Sequence, residues 1–121
     1  MRQKRWVIMI GLLLSCDIFA DFITKDEYAK MLYQNPRGIG CDKCHGPHGE
    51  GMVLSSYLDK KGERVEILAP AINDMPIKQF YKSFDAKSKL MPVYFLTDKE
   101  KAYLYYYLTK TKKKERISNV D

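Results

Sequence analysis

The feature that most constrains this chain is the run Cys41-Asp42-Lys43-Cys44-His45, which places two thiols and an imidazole within five residues. Glycine is dense around this run, and glycine lets backbone approach a neighbouring group closely. The five glycines of residues 36–51 are Gly38, Gly40, Gly46, Gly49 and Gly51. This density predicts a close-packed loop around the two cysteines.

The pattern C-x-x-C-H is the attachment signature of c-type haem. Two thiols with this spacing can form thioether bonds to the two vinyl groups on one side of a porphyrin. The next residue is then positioned under the iron as its proximal ligand. We therefore predict one covalent haem c, attached through Cys41 and Cys44 and ligated by His45.

The same residues could instead form a redox-active cysteine pair or a zinc site. A redox-active Cys-x-x-Cys pair usually begins a helix beside a βαβ pattern, and no such pattern is evident here. A zinc site could draw on His48 as well as the motif residues, but all four candidates lie within eight residues. No second, distant ligand pair is evident to complete a tetrahedral structural site.

The sixth iron position faces away from His45, and the candidates for it are methionines. His48 is only three residues from His45 and cannot reach across the porphyrin. We favour Met91, because Pro92 stiffens the loop that holds this weak thioether ligand. Met75 is the alternative, and Met52 is a third candidate. A His/Met-ligated iron passes electrons with no open position, whereas an iron without methionine could bind a gas or peroxide.

Local patterns predict three helices and a hairpin. The capping boxes Thr24/Glu27 and Thr97/Glu100 predict the first and last helices. A middle helix is predicted after Asn73 or Asp74, with Pro76 in its first turn. Met52–Leu58 and Arg64–Leu68 read as two short strands around a polar turn that contains Gly62.

The two ends of the chain look different from its centre. Residues 1–20 have a basic start, an apolar run from Trp6 to Leu14 and a small residue at Ala20, which is typical of a cleaved signal peptide. Leu13-Leu14-Ser15-Cys16 resembles a lipobox, so lipidation of Cys16 or an uncleaved signal is the alternative and would tether the protein to a membrane. We expect the functional domain in residues 21–110 and a basic, flexible tail in residues 111–121.

The net charge of the chain indicates which kinds of molecule it could bind. The net charge is +6, and it falls to +4 when residues 1–20 are removed, because three basic residues and one acidic residue leave with them. A mild positive balance suits docking on acidic protein partners or on anionic lipid headgroups. The lysines are scattered and no nucleic-acid recognition motif is evident, so nucleic acid is not expected. No acid–base pair or activated nucleophile is evident, so the chain is not expected to be an enzyme.

These features together resemble the class I c-type cytochromes, in their small bacterial monohaem form. The resemblance covers about residues 24–109 and is carried by Cys41 to Gly46, by Met91 to Glu100 and by Tyr107-Leu108. It implies an all-α, cytochrome c-like fold of three main helices around one covalent haem, with a small β-hairpin insertion. It also implies that the carbonyl of Pro70 accepts the Nδ1 proton of His45, and that Tyr28 and Leu32 meet the Tyr103–Tyr107 face.

The function that the resemblance implies is electron transfer. We expect a periplasmic carrier that moves electrons between protein donors and acceptors. The alternative is a haem-binding subunit or sensor whose sixth iron position is open.

Overall fold

The computed structural model describes residues 22–120. The predicted signal peptide and Cys16 lie outside these residues. Four helices and two strands follow one another: α1 (Lys25–Gln34), α2 (Asp42–His45), β1 (Met52–Leu58), β2 (Arg64–Ala69), α3 (Ile77–Asp85) and α4 (Asp98–Ser118). No helix within this part of the chain is long and apolar enough to cross a membrane.

The prediction of an all-α fold with three main helices is wrong. The described residues contain four helices and a two-stranded antiparallel sheet. The extra helix, α2, is only four residues long, too short to leave a periodic apolar pattern. The hairpin is a two-stranded sheet whose strands pair from Met52–Ala69 to Leu58–Arg64, with an irregularity between Val53 and Ser55.

The turn of the hairpin is built from local hydrogen bonds. The carboxylate of Asp59 accepts the backbone N–H groups of Lys61 and Glu63 at 2.8 and 2.9 Å. Gly62 has φ of 80°, the left-handed region that glycine enters at little cost. The turn therefore forms from its own residues.

Both predicted capping boxes are present. The hydroxyl of Thr24 accepts the N–H of Glu27 at 3.2 Å, and the Glu27 carboxylate accepts the N–H of Thr24 at 2.8 Å. Thr97 and Glu100 repeat this exchange at the start of α4. Because each box pairs N–H groups that the helix leaves unpaired, it defines where that helix begins.

The middle helix differs from its prediction. Pro76 is its N-cap, and Asn73 lies in the preceding turn, where its backbone N–H donates to the carbonyl of Gly49 at 3.2 Å. Asn73 is buried there. Neither Asn73 nor Asp74 therefore caps α3.

The core lies where α1 and α4 pack together with α3. Its buried side chains are Leu32, Tyr33, Phe80, Leu104 and Leu108. Each buried leucine or phenylalanine contributes about 1.5–3 kcal/mol relative to its exposed state. At one side of this core the ring of Tyr28 packs edge-on against Tyr103, with centroids 5.0 Å apart, as expected.

The last helix continues beyond the core. Leu108 is its last buried residue, but the helix runs on to Ser118, past residue 110 where the sequence predicts that it frays. Basic side chains dominate this extension, and Arg116 lies 3.5 Å from Asp74.

Candidate haem-binding site

The short helix α2 arranges the motif side chains. The N–H of His45 donates to the carbonyl of Cys41 at 2.8 Å, which closes one helical turn. Residues three and four apart lie on the same helix face, so Cys41, Cys44 and His45 face the same way. All three line one cavity.

His45 has a single well-defined partner on its Nδ1 side. This atom lies 2.7 Å from the carbonyl oxygen of Pro70, the contact that the resemblance implies. A carbonyl can only accept, so Nδ1 carries a proton, and in the neutral ring Nε2 then keeps its lone pair. This tautomer, with its ring held by a backbone oxygen, is the form in which histidine binds a metal.

Gly51 holds the Pro70 segment against His45. Its N–H donates to the carbonyl of His45 at 2.7 Å, and it has φ of 81°. A Cβ at this position would lie 2.7 Å from the carbonyl oxygen of Ala69 and 3.0 Å from the carbonyl carbon of Pro70. The approach of these two segments therefore requires glycine.

The cavity has a volume of about 320 Å³, within the usual range of about 300–1,000 Å³ for small-molecule sites. The hairpin, α3, α4 and the loop before Pro92 all contribute to its wall. Leu54, Leu68 and Leu90 belong to the lining, and the last two remain 60% and 65% exposed. The wall is thus predominantly apolar and includes leucines that the protein itself does not cover.

The structure brings two of the candidate methionines to the cavity. Met75 and Met91 both line it together with His45, whereas Met52 begins β1 and His48 is exposed, and both lie outside it. Met75 also packs against the core cluster, and its carbonyl accepts the hydroxyl of Tyr105 at 3.1 Å. Met91 is part of a loop in which the hydroxyl of Ser88 accepts the N–H groups of Leu90 and Met91 at 3.2 and 3.0 Å.

The two motif cysteines are not bonded to each other. Neither of the two cysteines in the described residues, Cys41 and Cys44, forms a disulfide. Burial raises the pKa of Cys41 to about 11, so this group is a neutral thiol at neutral pH. Disulfide exchange uses the thiolate, so burial of Cys41 disfavours this reaction.

The residues at the cavity fit a covalently bound haem. The donor set consists of two thiols, an imidazole with a free Nε2 and the thioethers of two methionines, around an apolar space. Thiols supply covalent attachment, and imidazole and thioether are the axial ligands of c-type haem iron. Within residues 22–120, no group of three or more His, Cys, Asp or Glu side chains is arranged to hold a metal ion.

Two tyrosines support the site in a way that the sequence did not predict. The hydroxyl of Tyr33 donates to the carbonyl of Gly46 at 2.7 Å, and that of Tyr107 donates to the carbonyl of Pro47 at 3.0 Å. The two rings lie 5.0 Å apart. Both tyrosines therefore hold the backbone that follows His45, although a helical pattern marks them only as core residues.

No family model, curated protein or solved structure matches this chain.

Proposed function

We propose that this protein is a periplasmic monohaem c-type cytochrome that carries electrons between protein partners. The observation that carries the proposal is the 2.7 Å contact between His45 Nδ1 and the Pro70 carbonyl, in the same cavity wall as Cys41 and Cys44. The contact orients Nε2 as a metal ligand beside two thiols with the attachment spacing.

The chain's own residues perform the attachment and the ligation. Each thiol would add across a vinyl group, with its sulfur bonded to one carbon and its proton on the other, so no oxidant would be consumed. His45 would ligate the iron through Nε2, and its hydrogen bond to the Pro70 carbonyl would strengthen that ligand. When bound, haem supplies a one-electron iron couple.

Met91 is the sixth ligand that the structure supports better. Met75 already packs against the core cluster, a common role for methionine. Met91 lies in a loop whose backbone is held by Ser88 and followed by Pro92. A loop held in this way can present a weak thioether ligand without disturbing the core.

Positive charge at the cavity supports acidic protein partners. Lys87 and Lys89 are exposed and alternate in sequence with three residues of the cavity wall, Ala86, Ser88 and Leu90. Charges near the site of transfer raise the association rate with a partner of opposite charge, more so at low salt. The basic and apolar pattern of residues 1–20 supports export.

The deciding experiment is a pyridine haemochrome assay on protein produced in a host that matures c-type cytochromes. We expect one haem per chain, which stays with the polypeptide in a denaturing gel. Replacing both motif cysteines, Cys41→Ser with Cys44→Ser, abolishes this covalent haem. Cys16→Ser, the matched control on the remaining cysteine, retains it. Colourless wild-type protein from that host refutes the proposal.

Carbon monoxide then distinguishes a carrier from a sensor. Ferrous iron ligated by His45 and a methionine reacts with carbon monoxide only as the methionine leaves, so we expect slow binding. Fast and complete binding by the wild-type protein would show an open sixth position and favour the sensor.

A further inference from the structure

Arg37 joins two segments that lie far apart in sequence. Its guanidinium donates to both carboxylate oxygens of Glu100, at 2.6 and 3.0 Å, and to the backbone carbonyl of Phe95 at 2.7 Å. Two parallel charge-assisted bonds to a carboxylate combine strength with a defined geometry. The third bond holds a carbonyl in the segment that follows Met91.

A second bond joins the same two segments. The hydroxyl of Tyr94 donates to the carbonyl of Ile39 at 2.6 Å. The Tyr94 ring also lies so close to Gly38 that a Cβ there would be 3.4 Å from it. Side chains therefore link residues 37–39 to residues 94, 95 and 100, and we name these contacts, including the Arg37–Glu100 ion pair, the brace.

The backbone at Arg37 is strained. Its φ of 62° is the one positive value at a non-glycine residue in the described chain. Such a conformation persists where the surrounding contacts over-determine it. The bonds to Glu100 and Phe95 supply these contacts.

The brace connects the two ligand-bearing walls of the cavity. Arg37 precedes Cys41 by four residues, and Phe95 follows Met91 by four residues. Tyr94, Cys41 and Met91 all line the cavity. A change in the brace therefore acts on the separation between the haem attachment segment and the Met91 loop.

We propose that Arg37 and Tyr94 are positioning residues that hold the Met91 loop across the cavity from His45, so that losing the brace releases Met91 from the iron. This inference rests on the proposed haem function. It assigns the stability of the sixth ligand to an ion pair outside the cavity. Neither residue touches the iron; both act through the loop.

The test measures methionine ligation in the haem-loaded, full-length protein. In Arg37→Ala we expect the methionine-to-ferric-iron charge-transfer band to weaken and carbon monoxide to bind the ferrous protein about tenfold faster or more, since a charge-assisted bond to the loop is lost. Arg37→Lys keeps the charge but offers no bidentate fork, so it restores the band only in part. Tyr94→Phe, which loses one bond, shifts both readouts less in the same direction.

The controls separate ligation from general stability. Lys110→Ala removes another exposed ion pair between distant residues, which Lys110 of α4 forms with Asp26 of α1. We expect it to leave the charge-transfer band and the rate of carbon monoxide binding unchanged. Met91→Ala sets the fast limit of carbon monoxide binding, and adding Arg37→Ala to it produces no further increase. If Arg37→Ala does not fold, Tyr94→Phe and Arg37→Lys carry the test.

The outcomes also separate this inference from the function on which it rests. Wild-type protein without covalent haem refutes the proposed function. Wild-type protein with covalent haem and a methionine band that persists in Arg37→Ala and Tyr94→Phe refutes the brace alone. The brace is also refuted if carbon monoxide binds fast to Met75→Ala but as slowly to Met91→Ala as to the wild type. In that case Met75 is the ligand.

Discussion

The Nδ1 atom of His45 lies 2.7 Å from the carbonyl oxygen of Pro70, and Gly51 makes this contact possible. Gly51→Ala places a Cβ against the carbonyls of residues 69 and 70, so the Pro70 segment must move away from His45. We expect a loss of about 1–2 kcal/mol from the left-handed backbone and about 1–3 kcal/mol more from overpacking. Denaturant unfolding measures the loss, and the reduction potential of haem-loaded protein reports the change at His45.

Gly62→Ala is the matched control for this substitution. Gly62 has φ of 80°, almost the same as Gly51, but no atom lies within 4 Å of the position of its Cβ. Gly62→Ala therefore destabilises the protein only through its left-handed backbone, by about 1–2 kcal/mol. We expect no change in the reduction potential. Equal effects of the two substitutions would show that Gly51 does not control the Pro70 contact.

Tyr33→Phe tests the support of the loop after His45. The Tyr33 side chain is 1% exposed, and its hydroxyl donates to Gly46, whose carbonyl then keeps only the N–H of Gly49 at 3.3 Å. We expect a loss of about 1 kcal/mol in the free energy of unfolding. In Tyr107→Phe the exposed Pro47 carbonyl gains water instead, and the loss stays below about 0.5 kcal/mol. The reverse order in denaturant unfolding would contradict this account.

Glu100 should titrate in strong acid because of the brace. Hydrogen bonds from Arg37, and then from the backbone of Thr97, lower its pKa from 4.5 to about 2. A lowered pKa in the folded state means that this stabilisation is present above pH 4.5 and is lost as the pH falls through about 2. Carboxyl NMR of Glu100 against pH should show this midpoint in the wild-type protein.

Glu27 is the internal control for that titration. It has the same capping box, and hydrogen bonds from Thr24 lower its pKa, but it has no arginine partner in the described structure. In Arg37→Gln we expect the pKa of Glu100 to rise toward 4.5 while that of Glu27 stays unchanged. An unmoved Glu100 midpoint would show that Thr97 alone accounts for the shift.

Truncating the chain after Lys112 tests how far the last helix matters. Residues 113–120 are all exposed, and their ion pair between Arg116 and Asp74 is exposed on both sides. Exposed pairs contribute little, so we expect the free energy of unfolding to change by less than about 0.5 kcal/mol. Leu104→Ala, which opens the core, costs about 2–5 kcal/mol by comparison. A comparable loss on truncation would show that the end of α4 supports the fold.

The features that could be predicted from the sequence are those whose causes are local. Thr24 with Glu27 and Thr97 with Glu100 begin their helices, because each box is completed within four residues. The hairpin forms around Asp59 and Gly62 for the same reason. The spacing of Cys41, Cys44 and His45 places them on one face as soon as α2 forms.

The fold class and the candidate site needed the tertiary structure. Leu54 and Leu68 make the hairpin part of the cavity wall, whereas the sequence predicted it only as an insertion in an all-α fold. Met75 and Met91 reach the same cavity, a convergence that no local pattern encodes. Arg37 meets Glu100 across 63 positions, and nothing near either residue in the sequence marks the pair. Capping and turns depend on neighbours in the chain, whereas cavities and long-range ion pairs exist only once distant segments have packed together.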